Sequence, residues 1–281
     1  MKNSNFTILG TWQNQDPYNS TLMIDKYDPN TGLITGVYKS STGSSGTYSF
    51  SGFIRGNDGK NNESLCLAID WKSIDGGEGD ASWHWNSIYG GFYAVDASSD
   101  EDIPAERLEV LNNLTASLKY EGLVENPGTY SETLIFKKIS KQTLPSIIKD
   151  TNSYKEGNPF VGTWKNIDDS ALVQQIIYTS QKKPDVGSFS GKVVWIDNST
   201  TLLTGYTDFD PFSAEGLKLQ AISLVVQPRE GDEFIIGFSG NYDFGDLSRS
   251  VQLNTSTCYA PSWKAKYFGI AMSSNIFERV T

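Results

Sequence analysis

The sequence predicts an all-β protein built from two tandem eight-stranded antiparallel up-and-down β-barrels. Three observations lead to this fold class. The motif GTWxN occurs at residues 10–14 and again at 162–166 of the 281-residue chain, so the chain contains an internal repeat. Within each copy, side-chain character alternates with a period of two, which is typical of β-strands. Short turn signals separate about eight such segments per copy, and closing them into a barrel removes exposed edges.

The strands of the first copy follow from this alternation. The period-two segments are 33–40, 48–54, 65–71, 81–93 and 107–120. Turn signals rich in Asp, Asn, Pro and Gly separate them at 28–30, 57–59 and 75–77. The segment 103–116 also fits a helix, because Pro104 stands early and Leu108, Leu111 and Leu114 are spaced by three. Strand and helix therefore both remain open for this segment.

The second copy repeats the beginning and the end of the first. SNIFERV at 274–280 matches TLIFKKI at 133–139. LLTGYT at 202–207 resembles LITGVY at 33–38, but GSFSG at 187–191 competes for the equivalent position, so the strand correspondence stays open. The predicted organisation is a ligand-binding barrel 1 at 1–140, a linker at 141–158 and a divergent barrel 2 at 159–281.

Composition excludes several classes of function. The 23 Lys and Arg residues against 33 Asp and Glu give a net charge of -10, which disfavours nucleic acid as a partner. A single His and two cysteines, Cys66 and Cys258, leave no multi-His or CxxC metal site. The two thiols are expected to be free, although one bridge between them is feasible.

No apolar run is long enough for a transmembrane helix, and the chain as given shows no signal peptide. We therefore expect no membrane partner. The expected location is cytoplasmic for the chain as written, or extracellular if a signal was removed.

The first copy carries polar side chains where an ordinary barrel would have Leu or Val. These are Asn14, Ser20, Tyr38 and Ser40, and Trp71, Trp83 and Trp85 stand on two later strands. Aromatic walls with a few fixed donors and acceptors are typical of a buried small-molecule site. Each residue alone also fits simple barrel filling, so the hypothesis rests on the joint pattern.

These segments resemble successive strands of the avidin/streptavidin family. The resemblance is carried by GTWQN at 10–14, LITGVYKSSTG at 33–43, YSFSG at 48–52, CLAIDWKS at 66–73 and WNSIY at 85–89. The second copy is similar at GTWKN, LLTGYTD, GFSGNY and SWKAKY. The resemblance implies a barrel that binds biotin non-covalently and needs no cofactor.

The resemblance also implies roles for individual residues. Asn14, Ser20 and Tyr38 would donate hydrogen bonds to the ureido oxygen of biotin. Ser40 would accept one from a ureido N–H group. Trp71 and Trp85 would form walls around the ring system.

The departures from the family pattern are equally specific. In the first copy, Asn112 or a neighbour stands where the family has a Trp, and Glu132 or Thr133 stands near the place of a missing carboxylate or amide. The second copy keeps these late residues as Trp263 and Asn275, so each copy holds about half of a site.

In the second copy Val193 and Trp195 replace the Tyr/Ser pair. The family's last Trp caps the neighbouring barrel, so Trp263 is predicted to cap a ligand in barrel 1 of a fused pseudo-dimer.

The function predicted is therefore a non-covalent small-molecule binding protein that holds biotin or another small cyclic ligand in barrel 1. A homodimer of tandem chains is a further expectation from the resemblance. One alternative is a cyclase- or isomerase-like barrel enzyme that shapes its substrate in the lumen. For that reaction Tyr38, Asp70, Glu132 and Asn275 would supply donors or an acid, and no catalytic residue is singled out. The other alternative is a structural protein with both barrels filled.

Overall fold

The computed structural model describes sixteen strands and the short turns that join some of them. The described residues are 8–14, 19–39, 46–56, 62–73, 85–95, 106–116, 129–140, 160–180, 188–207, 219–243, 250–260 and 269–280. All regular secondary structure in these ranges is β-strand. Over the same ranges, no helix has the length and apolarity that a membrane crossing requires.

Barrel 1 is an antiparallel meander that closes on itself. Its strands are β1 (Gly10–Asn14), β2 (Thr21–Tyr27), β3 (Leu33–Lys39), β4 (Thr47–Gly56), β5 (Asn62–Ser73), β6 (Trp85–Val95), β7 (Glu106–Ala116) and β8 (Thr129–Ser140). Each strand pairs with the next, and β8 pairs with β1.

Barrel 2 has the same up-and-down order. Its strands are β9 (Gly162–Asn166), β10 (Val173–Ser180), β11 (Ser188–Trp195), β12 (Thr200–Thr207), β13 (Leu219–Val226), β14 (Phe234–Asp243), β15 (Ser250–Tyr259) and β16 (Gly269–Arg279). Closure occurs between β16 and β9. The predicted fold class, two tandem eight-stranded barrels, is confirmed. The predicted linker, 141–158, lies outside the described residues.

The segment around Leu108 is a strand, so the helical alternative is wrong. Leu108 and Val110 are buried in the lumen, whereas Arg107 and Asn113 are buried on the other face. That alternation, with β6 and β8 pairing on both sides, outweighs the spacing by three of the leucines.

The repeated GTW motif builds the same local structure in both barrels. The indole Nε1 of Trp12 donates to the carbonyl oxygen of Ile8 at 3.0 Å, and that of Trp164 donates to Phe160 at 3.0 Å. Gly10 and Gly162 precede them with φ of 136° and 146°, a backbone conformation that favours glycine. The sequence repeat is therefore also a structural repeat.

The cross-strand partners of the two tryptophans show which strands of barrel 1 correspond to which strands of barrel 2. Trp12 pairs with Leu22, which pairs with Tyr38 on β3. In barrel 2, Trp164 pairs with Ile176, which pairs with Val193 on β11. GSFSG is thus the counterpart of LITGVY, and LLTGYT belongs to β12, the counterpart of β4.

The buried apolar residues form three clusters. One lies inside barrel 1, one lies inside barrel 2, and the third lies between the barrels and joins them. The third cluster consists of Phe53, Cys66, Ala68, Ile88, Tyr206, Val225, Ile235 and Cys258. It comes from the outward faces of β4–β6 and of β12–β15, so sheet residues of both barrels are buried on both faces.

Hydrogen bonds around this third cluster show how the two barrels are oriented relative to each other. The Ser64 hydroxyl donates to the Glu233 carbonyl at 2.8 Å, and the Gln227 amide donates to the Thr31 carbonyl at 3.1 Å. Ser64 and Thr31 lie at the Trp12 end of barrel 1. Gln227 and Glu233 flank the opposite end of barrel 2, so the two barrels pack with opposed directions.

Cys66 and Cys258 meet in the interface as free, buried thiols. Burial, with the neighbouring Cys258 thiol as a further cause, raises the pKa of Cys66 well above its ordinary value. Glycines of the partner strands leave room for the two sulfurs. A Cβ on Gly90 would lie 2.5 Å from the Cys258 Sγ, and one on Gly237 would lie 2.7 Å from the Cys66 Sγ.

Candidate functional site

The Trp12 end of the barrel 1 lumen is closed by a compact polar cluster. Lys138 Nζ lies 3.0 Å from Glu106 Oε1 and 4.8 Å from the centre of the Trp12 ring. The Tyr93 hydroxyl donates to the same Glu106 oxygen at 3.1 Å. Burial and the Glu106 charge raise the pKa of Tyr93, so this tyrosine stays protonated. The groups at this end already satisfy one another.

The opposite end of the same lumen begins with two buried polar residues. The backbone N–H of Asn14 donates to the Ser20 carbonyl at 2.8 Å, and Asn19, with φ of 46°, turns the chain just before Ser20. The side chains of Asn14 and Ser20 are 2% and 1% exposed. Among the described residues, neither Asn14 Nδ2 nor Ser20 Oγ has a hydrogen-bond partner.

Four aromatic rings form the wall beside these groups. Ring centres lie 5.3 Å apart for Tyr38 and Trp71, 5.2 Å for Tyr48 and Trp71, and 5.8 Å for Tyr38 and Tyr89. Trp71 stands where the register between β4 and β5 shifts, since Phe50 pairs with Ile69 but Tyr48 pairs with Ser73. Such a bulge changes the direction of a side chain.

Ser87 fixes the indole of Trp71. The Trp71 Nε1 donates to the Ser87 hydroxyl oxygen at 2.6 Å across neighbouring strands. This bond orients the ring and satisfies its only donor.

Asn112 and Glu132 complete the ring of side chains on β7 and β8. They are cross-strand partners, and the Asn112 amide donates to Glu132 Oε1 at 3.2 Å. Because a carboxylate only accepts, this bond leaves Asn112 Oδ1 as an acceptor, and it has no partner among the described residues. Glu132 lies on the lumen face, whereas Thr133 is exposed.

The buried phenol of Tyr89 lies close to the Glu132 carboxylate. Its pKa is raised well above the ordinary value, first by burial, then by Tyr38 and by the charge of Glu132. Tyr89 is therefore a neutral hydrogen-bonding group near that carboxylate.

The structure brings together half of the residues predicted for the site. Asn14, Ser20, Tyr38 and Trp71 lie at one end of one lumen. Trp85 opens strand β6, but its side chain lies outside the described residues, as do Ser40 and Trp263.

Asn275 belongs to barrel 2 and is not part of this end of barrel 1. Its Oδ1 accepts from Asn166 Nδ2 at 2.9 Å and its Nδ2 donates to Thr255 Oγ1 at 2.6 Å. The Asn166 amide also donates to the Val173 carbonyl at 3.1 Å. Asn275 pairs with Leu253 on β15, just as Leu134 pairs with Val110 in barrel 1. The counterpart of Asn275 in barrel 1 is therefore Leu134.

The nearest described residue before Trp263 is Ala260, whose N–H donates to Ser64 Oγ at 2.8 Å. Ser64 lies toward the closed end of barrel 1, seven positions along β5 from Trp71. Trp263 itself lies outside the described residues, so its role as a cap stays a prediction.

The residues suggested for an enzyme do not form one constellation. Tyr38 and Glu132 face the barrel 1 lumen, but Asp70 is buried on the other face of β5, where it pairs with Asn86. Asn275 lies in barrel 2. The four-residue set is wrong because strand alternation places Asp70 on the outer face.

Sequence reasoning missed three residues of the site: Tyr48, Ser87 and Tyr89. Tyr89 and Ser87 share a face of β6, and period-two counting from Trp85 would have placed both in the lumen. Tyr48 pairs directly with Tyr38. A count of inward positions on every strand would have found all three.

Barrel 2 has smaller or less polar side chains at most of the corresponding positions. In barrel 1, cross-strand partners on five consecutive strands form the row Gly52–Leu67–Tyr89–Asn112–Glu132. The corresponding row of barrel 2 is Gly205–Leu224–Phe238–Thr255–Ser273. Tyr38 becomes Val193, and Trp195 donates to Thr201 Oγ1 at 2.9 Å under the guanidinium of Arg229, which lies 4.6 Å from its ring centre. Ser170, in the turn after β9, is exposed and its hydroxyl donates to Asp168 Oδ1 at 2.6 Å.

No group of His, Cys, Asp and Glu side chains suited to a metal ion occurs among the residues described. Neither a family model nor a curated protein matches the chain. The assignment of a function therefore depends on the site itself.

Proposed function

We propose that the protein binds a small molecule non-covalently in the lumen of barrel 1, in the avidin-like manner, with biotin or another small cyclic compound as the ligand. Barrel 2 acts as a structural support that buries the outer face of the binding barrel. Asn14, Ser20, Tyr38 and Trp71 are the binding residues expected from the sequence, and Asn112 and Glu132 join them.

One observation carries the proposal. Three buried polar atoms without a partner among the described residues, Asn14 Nδ2, Ser20 Oγ and Asn112 Oδ1, belong to lumen-facing residues at the same end of barrel 1. A buried polar atom without a partner costs about 1–3 kcal/mol. A ligand that supplies the partners recovers this free energy on binding.

The second barrel supports the same assignment by contrast. Asn166, the counterpart of Asn14, has its amide hydrogen-bonded to Val173 and Asn275. In the described ranges, barrel 2 has two lumen-facing atoms without a partner, the Tyr178 hydroxyl and Thr207 Oγ1, and both lie toward the Trp164 end. A polar ligand gains more at the Asn14 end of barrel 1 because three such atoms lie together there, whereas the described residues at the Asn166 end of barrel 2 have none.

Isothermal calorimetry of the full chain with biotin tests the proposal. We expect a one-site isotherm for the wild type and at least a tenfold weaker affinity for Asn14→Ala. The matched control is Asn166→Ala, which removes satisfied bonds and should lower thermal stability while leaving the affinity unchanged.

Two results would contradict this proposal in different ways. The absence of heat with biotin up to high micromolar concentration would reject biotin as the ligand. Binding that is lost in Asn166→Ala but kept in Asn14→Ala would move the site to barrel 2.

A further inference from the structure

We propose that barrel 1 prefers a small cyclic cation, with a protonated nitrogen and N–H donors on one edge and a hydrogen-bond acceptor on the other, over a neutral ligand of the same shape. This inference rests on the proposed function, because it assigns the chemical class of ligand to the same site.

The first argument is the carboxylate on β8. Glu132 stands on the lumen face two positions from the buried Leu134, and Asn112 on β7 donates to it. Tyr89 pairs with Asn112, which pairs with Glu132, so the carboxylate stands in the same row as a buried ring of the lumen. A negative charge in a low-dielectric site attracts a cation more strongly than it would in water.

The second argument is the aromatic wall. Tyr38, Tyr48, Trp71 and Tyr89 are neighbours with ring centres 5.2 to 6.4 Å apart. The faces of such rings attract ammonium and guanidinium groups, and clusters of rings are used to bind organic cations. Rings and carboxylate therefore favour the same sign of charge.

The third argument is the polarity of the atoms without partners. Asn112 Oδ1, beside the carboxylate, is an acceptor, so the β7–β8 side of the lumen requires N–H donors. Asn14 Nδ2, on β1, is a donor and requires an acceptor. The Ser20 hydroxyl can serve either role. A ligand that satisfies all three atoms has N–H donors on the edge that faces β7 and β8 and an acceptor on the edge that faces β1.

Barrel 2 lacks the carboxylate, the amide and the phenol of this site. Ser273 takes the place of Glu132, Thr255 that of Asn112, and Phe238 that of Tyr89. Charge, acceptor and phenol have changed together, as expected if they serve one ligand.

Two isosteric probes test the inference. The neutral probe is 4-ethylpyrrolidin-2-one, a lactam. The charged probe is 4-(aminomethyl)pyrrolidin-2-one, which keeps the lactam carbonyl as the acceptor and carries an ammonium group at neutral pH. Dissociation constants for the full chain are measured by ligand-observed NMR titration at pH 7. We expect the ammonium probe to bind at least tenfold more tightly than the neutral lactam.

Glu132→Gln should reduce this preference to threefold or less, because it removes the charge and keeps the shape. The matched control is Glu278→Gln, which makes the same change of net charge on an exposed residue of barrel 2 and should leave the preference unchanged. Thermal melting curves of both variants check that they are folded.

The outcomes separate this inference from the proposed function. If the neutral lactam binds as tightly as the ammonium probe, the cation is rejected and small-molecule binding stands. A preference that persists in Glu132→Gln also rejects the role of this site. If neither probe binds but biotin does, the cation is again rejected. If neither probe nor biotin binds, both proposals fail.

Discussion

The two barrels share a strand order and a repeated Trp anchor but use their lumens differently. Barrel 2 packs Phe160 against Trp164 at 5.1 Å and against Tyr242 at 4.7 Å between ring centres, and its Asn166 is hydrogen-bonded within the protein. Barrel 1 keeps partnerless polar atoms on Asn14, Ser20 and Asn112. Within the described residues, the two barrels therefore differ most at one end: the Asn14 end of barrel 1 has three partnerless polar atoms, whereas the amide of Asn166 is hydrogen-bonded within barrel 2.

The largest expected effect is a loss of stability in barrel 2. Trp164→Ala removes a fully buried indole, its contact with Phe160 and its hydrogen bond. Removing a buried Trp costs about 3–5 kcal/mol because a cavity remains. Chemical denaturation measures the loss. Leu202→Ala, at an exposed site of the same barrel, should stay within about 0.5 kcal/mol. Equal effects would show that barrel 2 is not the packed unit described here.

The next effect tests the interface that joins the barrels. Gly237→Ala places a Cβ 2.7 Å from the Cys66 Sγ and 3.0 Å from the Ile88 Cγ2. Overpacking of this kind costs about 1–3 kcal/mol. Cys66→Ala in the same chain should restore part of the loss, because it removes the clashing sulfur. A loss that Cys66→Ala leaves unchanged would contradict the contact.

The third prediction separates binding from stability in barrel 1. Ser20→Ala removes a buried hydroxyl without a partner, so we expect the free energy of unfolding to stay level or rise by up to about 1 kcal/mol. Ligand affinity should fall about tenfold, equivalent to roughly 1.4 kcal/mol. Calorimetry and denaturation together measure this trade-off. The matched control, Ser170→Ala, changes an exposed turn and should not alter affinity. A clear loss of stability in Ser20→Ala would mean that the hydroxyl already has a partner.

The smallest effect concerns acid stability of the turns. Hydrogen bonds from Ser170 lower the pKa of Asp168 below its ordinary value, and those from Thr31 and Asn30 do the same for Asp28. A depressed carboxyl pKa contributes stability above the unfolded-state pKa, and the contribution is lost as pH falls through the folded-state pKa. Asp28→Asn and Asp168→Asn should therefore melt slightly below the wild type at neutral pH. The difference should shrink as pH falls below the ordinary carboxyl pKa and through the lowered folded-state pKa. A constant difference would exclude titration as its cause.

Much of this architecture could be predicted because barrel strands have a strong sequence signal. Alternation and the GTW repeat gave the two barrels, and the inward positions of Asn14 and Tyr38 followed from the same period. Asn275 was assigned to the site by resemblance alone, and Asp70 was suggested without a count of its face. The alternative between Glu132 and Thr133 needed the register of β8, which a single sequence leaves undefined.

The sequence by itself determined the fold class, the repeat and the chemical types of residue in each copy. These depend on local periodicity and on residues close together in the chain. The tertiary structure alone decided which groups meet. A one-residue change of register moves every side chain of a strand to the other face, so closure of the barrel placed Asn112 beside Glu132 and Trp71 on Ser87. It also brought Cys66 to Cys258 across 192 positions, a contact between strands that no local pattern records.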